Sequence, residues 1–418
     1  MRALKPFLAA SAAIAALASG AAFASCPNTQ PTCSTGGPSQ VNNHQVQMND
    51  SHAWSQLQVV TAGQVSGNAA ASGNLVTVGV QNITANVRNE QHNNASNVAR
   101  SELTVTSSAG AAVNGAAATG NGMSVESRNA TTYTDSLQVS RWNETVSAQA
   151  VSTVRSAGVS TTSVQAAANN TAISAVGGTS RNDLLQYNAS TVSARAEADV
   201  CCSDTATAGA IAAANTISVT GDRTRINQAS LQDNTGSVTA VADLAVGMTR
   251  DATASAAANG NSATVATTFA PLTSNANQTN TGNIQANSWL TGGSWSGVGS
   301  SSAYATGNAH DALNTAGNLT SDVFQSNSGQ VRAWSAITGG GVGGQSATLG
   351  TAIAIGNSNS ATLCTGCGPG ILSASNEQRN SGGVEAISRV NITGTATGAS
   401  SAVATGNAAS FYVGTPGH

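Results

Sequence analysis

Residues 116–121 read AAATGN, and the phrase returns as AAASGN at 69–74, AAANGN at 256–261, AYATGN at 303–308, AIAIGN at 352–357 and AVATGN at 402–407. Looser copies stand at 165–170 (QAAANN) and 210–215 (AIAAAN). The closing residues are Asn74, Asn121, Asn170, Asn215, Asn261, Asn308, Asn357 and Asn407, spaced by 45 to 50 positions. A second phrase, Q-x-N-x-G-x-V-x-A, keeps the same beat at Gln186, Gln232, Gln278, Gln325 and Gln378, with looser forms at Gln47, Gln91 and Gln138. Two unrelated phrases on one period near 47 residues mark a structural repeat. Each unit covers its neighbour because none can bury its apolar face alone.

Between the phrases the pattern has period two. From Val192 to Val200, Val192, Ala194, Ala196, Ala198 and Val200 alternate with Ser193, Arg195, Glu197 and Asp199. Arg100 and Glu102, and later Glu385 and Arg389, hold the same parity in their units. Alternation puts the apolar set on one face of a strand and the charged set on the other, whereas a helix would gather charges at spacings of three and four. Gly and Asn tolerate positive φ, so the Gly-Asn pair that closes the first phrase reads as a turn. Stacked from unit to unit, those eight asparagines can also form a side-chain amide ladder. The expected fold is all-β: a parallel β-solenoid, or β-helix, of about eight 47-residue repeats. Such a period fits one wide coil per unit, giving a body about 40 Å long, or two short coils, giving about 75 Å.

Composition agrees with narrow stacked units. Of 418 residues, 44 are Gly, 8% are charged and 3% are aromatic, and the 40% that are hydrophobic are mostly Ala and Val. A conventional globular enzyme would need bulkier core residues and far more surface charge. Disordered chains, by contrast, usually combine high net charge with abundant Pro, whereas this chain has a net charge of −3 and 7 Pro. Lys5 is the only lysine and no basic run occurs, so nucleic acid and anionic lipid are excluded as partners.

The N-terminus reads as an export signal. Arg2 and Lys5 precede an apolar run from Phe7 to Leu17, and Ala22-Phe23-Ala24 forms a small-residue cleavage site before Ser25. The run is too short to span a membrane. The expected organisation is a signal peptide over 1–24, a Pro- and Cys-containing leader or cap over 25–40, the solenoid over 41–413 and a frayed tail over 414–418. Six cysteines fall in three close pairs, Cys26/Cys33, Cys201/Cys202 and Cys364/Cys367, which in an exported protein favours local disulfides. Zinc at Cys364-x-x-Cys367 is the alternative, but no second C-x-x-C lies near it.

No catalytic constellation emerges. Gly293-Ser294-Trp295-Ser296-Gly297 resembles a nucleophile elbow but carries Trp where the Ser belongs. His44, His52, His92, His310 and His418 show no H-E-x-x-H spacing and no facing pair, so they are expected at the surface or in turns. Acidic residues are spread about two per unit instead of being gathered as paired carboxylates. The chain is therefore expected to be no enzyme, with no cofactor and no metal. Trp54, Trp289 and Trp334 share the parity of the charged residues and point outward, offering flat faces to sugar rings or partner proteins. Trp142 and Trp295 lie in turn-like or Gly/Ser-rich stretches that give them no role.

The exported Ala/Ser/Thr/Asn/Gly-rich chain, its Q-x-N phrases and its AVATGN unit resemble the holdfast-anchoring protein D family of stalked alphaproteobacteria. The resemblance implies a protein that acts with other holdfast anchor proteins at the outer membrane to fasten an adhesive polysaccharide, the holdfast, to the cell. One such partner is similar to a curli secretion channel and another to a curli-like fibre subunit. The Q-x-N spacing here is roughly twice that of curlin repeats. The expectation is an exported cell-surface anchor, associated with the outer membrane and capable of self-association. A polysaccharide-degrading β-helix enzyme and a self-assembling fibre subunit are the alternatives.

Overall fold

The computed structural model describes residues 23–24, 38–341, 346–366, 368–394 and 397–414. Most of the signal and leader, with Cys26 and Cys33, lies outside the described residues, as do Cys367 and His418. All regular structure among the described residues is β, and every strand pairing is parallel. Three continuous segments, Asn97–Ser140, Thr145–Asn188 and Thr191–Asn234, are 44 residues each, and each goes once round the solenoid. Later turns carry the same path in shorter pieces, such as Ile284–Trp295, Val298–Thr315 and Leu319–Asn327.

Register chooses between the two coil sizes. Ala99 pairs with Ala148, Ala148 with Ala194, Ala194 with Ala240, Ala240 with Ala286 and Ala286 with Ala333. One repeat therefore makes one wide coil. Eight such coils follow one another along the axis, with a parallel strand spacing of about 4.8 Å.

Inside each coil the alternation read from the sequence holds. Ala148, Ala194, Ala240 and Ala286 are buried, while the intervening charged residues stay accessible. The interior contains two apolar stacks. One, built largely of Ala and Val, runs from Val65 to Ala354, and the second includes Val125, Ile173, Val219 and Val265 in register. Small side chains suit walls this close together, and bulky ones occur only where space is made for them. Trp295 is the largest fully buried side chain. Its ring sits against Gly292, Gly299 and Gly339, where a Cβ would fall 3.1, 2.6 and 2.7 Å from ring atoms, and its Nε1 donates to Thr348 Oγ1 at 3.2 Å.

The asparagines of the first phrase differ from the turn residues expected. None of them has positive φ; all lie within β-structure, and all but Asn170 have the inward parity. The corner itself is made one residue earlier. Buried positions shift parity across Gly307, from Ala303 and Ala305 to Asn308 and His310. A Cβ on Gly307 would approach Asn327 Oδ1 to 2.7 Å, so close packing at the corner requires glycine there, and no left-handed backbone is involved.

The asparagines instead form a continuous ladder: Asn74, Asn121, Asn169, Asn215, Asn261, Asn308, Asn357 and Asn407. Asn170 is therefore not its member; Asn169 is, because Asn169 has the inward parity and pairs with Asn121 and Asn215. Each Nδ2 up to Asn357 donates to the next Oδ1 and, through its other proton, to a carbonyl on the opposite wall, as Asn121 does to Val139 O at 2.9 Å.

A glutamine ladder runs beside it with opposite polarity. Gln138 Nε2 donates back to Gln91 Oε1 at 2.9 Å and across to Asn170 O at 3.1 Å. Its first member is Gln45, which accepts from Gln91 at 2.8 Å; Gln47 lies opposite Asn93. The turns belong to the second phrase. Asn188, Asn234, Asn280, Asn327 and Asn380 each bond a carbonyl two residues on, and each of the first four also donates to the next in line, as Asn234 does to Asn280 at 2.7 Å.

Candidate functional site

The outward side of the Ala-lined wall is a flat sheet face on which rung pairing sets side chains in columns. Trp54 pairs with Arg100, Arg100 with Gln149, Gln149 with Arg195, Arg195 with Val241, Val241 with Asn287 and Asn287 with Trp334. Trp54 and Trp334 thus share one column, Trp54 in the first described coil and Trp334 in the seventh, beyond which the column continues to Ile387. Trp289 belongs to the adjoining column, opposite Asp243 on one side and Ala336 on the other. Ala336 is two positions from Trp334, so Trp289 and Trp334 form one patch while Trp54 stands apart.

The two tryptophans differ in environment. Trp54 is 70% exposed. Trp334 is half-buried beneath two guanidinium groups, Arg332 at 5.2 Å and Arg389 at 5.5 Å from its ring centroid. Arg332 is held by Glu385 at 3.2 Å, across the rung step. Cation–π contact of this kind fixes the orientation of both ring and guanidinium. The indole Nε1 of Trp334 is enclosed, with no hydrogen-bond partner among the described residues, so the ring meets solvent through its carbon face and edge.

Charged residues between the two tryptophans pair along the same face. Arg100 meets Glu102 at 2.6 Å, and Arg195 bonds Glu197. Asp243, beside Trp289 in register, has its carboxyl pushed above the usual range by burial and then by the Glu197 carboxylate. The result is a long sheet face that carries tryptophans in its first and seventh coils with accessible charged pairs in the coils between, a surface chemistry that suits hydroxyl-rich chains.

The family model described as holdfast attachment protein D matches residues 59–330, well over half of the chain. The chain belongs to the holdfast attachment protein D family. It is a holdfast attachment protein, and so a protein of the cell surface. No curated protein and no solved structure matches it. No helix among the described residues is long and apolar enough to cross a membrane.

Other candidate residues of this holdfast attachment protein stand as follows. The structure has Cys201, Cys202 and Cys364 as thiols, with no disulfide among the described residues. The Sγ atoms of Cys201 and Cys202 are 2.9 Å apart, and their hydrogen bond raises the Cys202 thiol pKa. Trp142 is 73% exposed beside Asn143, which has positive φ. His310 is not at the surface: it is buried in a coil, between Ser274 Oγ at 2.9 Å and Asn359 Oδ1 at 3.0 Å.

The histidines also include a facing pair, contrary to their scatter in the sequence. His44 and His92 have ring centroids 6.2 Å apart, with Glu90 between them. A sequence separation of 48 residues conceals the pair until one coil per repeat is known. A further feature escaped a reading focused on tryptophan: Leu185, Leu231 and Phe324 line an open groove on another wall, rimmed by Asp183 and Asp322.

Proposed function

We propose that this chain is an exported, non-enzymatic anchor that holds the holdfast polysaccharide on the cell envelope together with other anchor proteins at the outer membrane. Family membership supports attachment as the role. The observation that carries the binding face is Trp334, an outward aromatic ring whose orientation is fixed by Arg332 and Arg389. A sugar ring would pack on exposed indole surface, as Trp54 offers, while its hydroxyls bond the accessible polar groups of the same column, such as Arg100 and Arg195. Binding spread over a long face resists force better than one pocket, because many weak contacts must break together. No cofactor enters this role.

The test is retention of adhesive by cells carrying Trp334→Ala with Trp289→Ala. The folded protein remains displayed, and adhesive is shed into the medium. Retention equal to wild type would remove this face from the function.

End-to-end self-association is a second reading, favoured by ladder polarity. In the first described coil, Asn74 Oδ1 receives no donor, and in the last, Gln378 Oε1 receives none, among the described residues. Asn407 Nδ2 and Gln45 Nε2 each carry a proton that no ladder partner takes. A second copy stacked head to tail would match both ladders in direction. Concentration-dependent assembly seen by light scattering supports this reading, and a monomer at all concentrations removes it.

A further inference from the structure

Glu90 and His92 are two residues apart on the strand Thr84–Asn93, so both point out of the same face. The neighbouring strand Ser39–Gln47 sets His44 directly opposite Glu90 in register. Backbone geometry alone therefore brings the three side chains to one spot. His92 Nε2 lies 3.0 Å and His44 Nε2 3.9 Å from Glu90 Oε1. One ligand atom from each of the three residues lies within 4.8 Å of the others.

Two imidazoles and a carboxylate are the donor set of three-ligand sites for borderline first-row dications, and too nitrogen-rich for calcium or magnesium. With metal–ligand bonds near 2.1 Å, ligand atoms around a tetrahedral ion stand about 3.4 Å apart. The observed spacings bracket that value, so small rotamer changes without backbone movement would close the site. All three side chains are solvent-accessible, which leaves a fourth position for water.

The placement gives the site a structural consequence. His44 comes from the first described coil and the other two ligands from the second. Apolar side chains are less covered in the first: Val41 is half-buried, whereas its register partner Val87 is 2% exposed. An ion bridging the two coils would add a bond between coils where the apolar contribution is smallest. The geometry points to His44, Glu90 and His92 as a binding site for a zinc-class dication that clamps the first described coil to the second. This site is independent of the polysaccharide-binding face, and neither conclusion depends on the other.

The experiment uses untagged full-length protein, stripped with chelator and titrated with zinc chloride by calorimetry, alongside His44→Ala, Glu90→Gln, His92→Ala and the control His52→Ala. Expected are one ion per chain, at least tenfold weaker binding in each ligand variant and wild-type binding in the control. Thermal midpoints without zinc report whether each variant is folded. Hydrogen exchange over Ser39–Gln47 slows on adding zinc to wild type and does not change in His44→Ala. Absence of binding by folded wild type, or affinity unchanged in all three ligand variants, overturns the site. Equal protection from magnesium overturns its assignment to a zinc-class ion.

Discussion

Asn121 donates its side-chain amide to Asn169 at 2.8 Å inside the solenoid, and the same Nδ2 reaches Val139 O on the opposite wall at 2.9 Å. One side chain thus ties neighbouring coils together along the axis and two walls together across it. A neutral hydrogen bond contributes about 1 kcal/mol net, but a buried group left without its partner costs about 1–3 kcal/mol. The interior amides therefore specify register more strongly than the small apolar residues around them, whose burial gains little for each side chain.

Asn169→Ala removes one rung of that ladder, leaving Asn215 Oδ1 without its donor and one proton of Asn121 Nδ2 without its acceptor. We expect a loss of about 2–3 kcal/mol in denaturant unfolding. Asn170→Ala, next door and half-exposed, stays within about 0.5 kcal/mol of wild type. Equal losses from the two would mean that the coils are in a different register.

Trp295→Ala leaves a void between glycines that cannot expand into it, and releases Thr348 Oγ1. A loss of about 3–5 kcal/mol is expected for a fully buried Trp. The check is chemical denaturation followed by circular dichroism, because the substitution removes a fluorophore.

His310 gives the solenoid a pH dependence. Burial lowers its pKa from 6.5 to about 4 in the folded protein, so the unfolded chain takes up the proton first as pH falls. The stabilisation is complete above pH 6.5 and is lost progressively between pH 6.5 and 4, amounting to about 3 kcal/mol. His310→Gln flattens that part of the stability profile. An unchanged profile would place the titration elsewhere.

The sequence carried the number of repeats and the inward and outward faces because period and parity follow from the chain itself, but whether a repeat makes one coil or two depends on pairing between distant residues. Register was harder. The stretch QAAANN offers two adjacent asparagines, and only the parity of Asn169 against Asn121 selects between them. Gln45 and Gln47 both face inward, so only the pairing of Gln45 with Gln91 decides which starts the ladder. The turn role went to the wrong phrase, since Gly-Asn corners and Asn-x-Gly turns use the same residue types for different reasons: close approach in one, side-chain capping in the other. His44, Glu90 and His92 became neighbours only when 46 residues were known to make a single coil. Outward direction was legible for all three tryptophans, but the guanidiniums that cover Trp334 come from its own strand and the next coil.

The central claim is that the outer Trp334 face holds the adhesive. The most direct measurement labels the protein at the surface of cells carrying Trp334→Ala with Trp289→Ala, while a lectin scores adhesive on cells and adhesive released. The account predicts surface protein at the wild-type level with most adhesive released into the medium. Adhesive retained on cells at the wild-type level, with surface protein also unchanged, would contradict it.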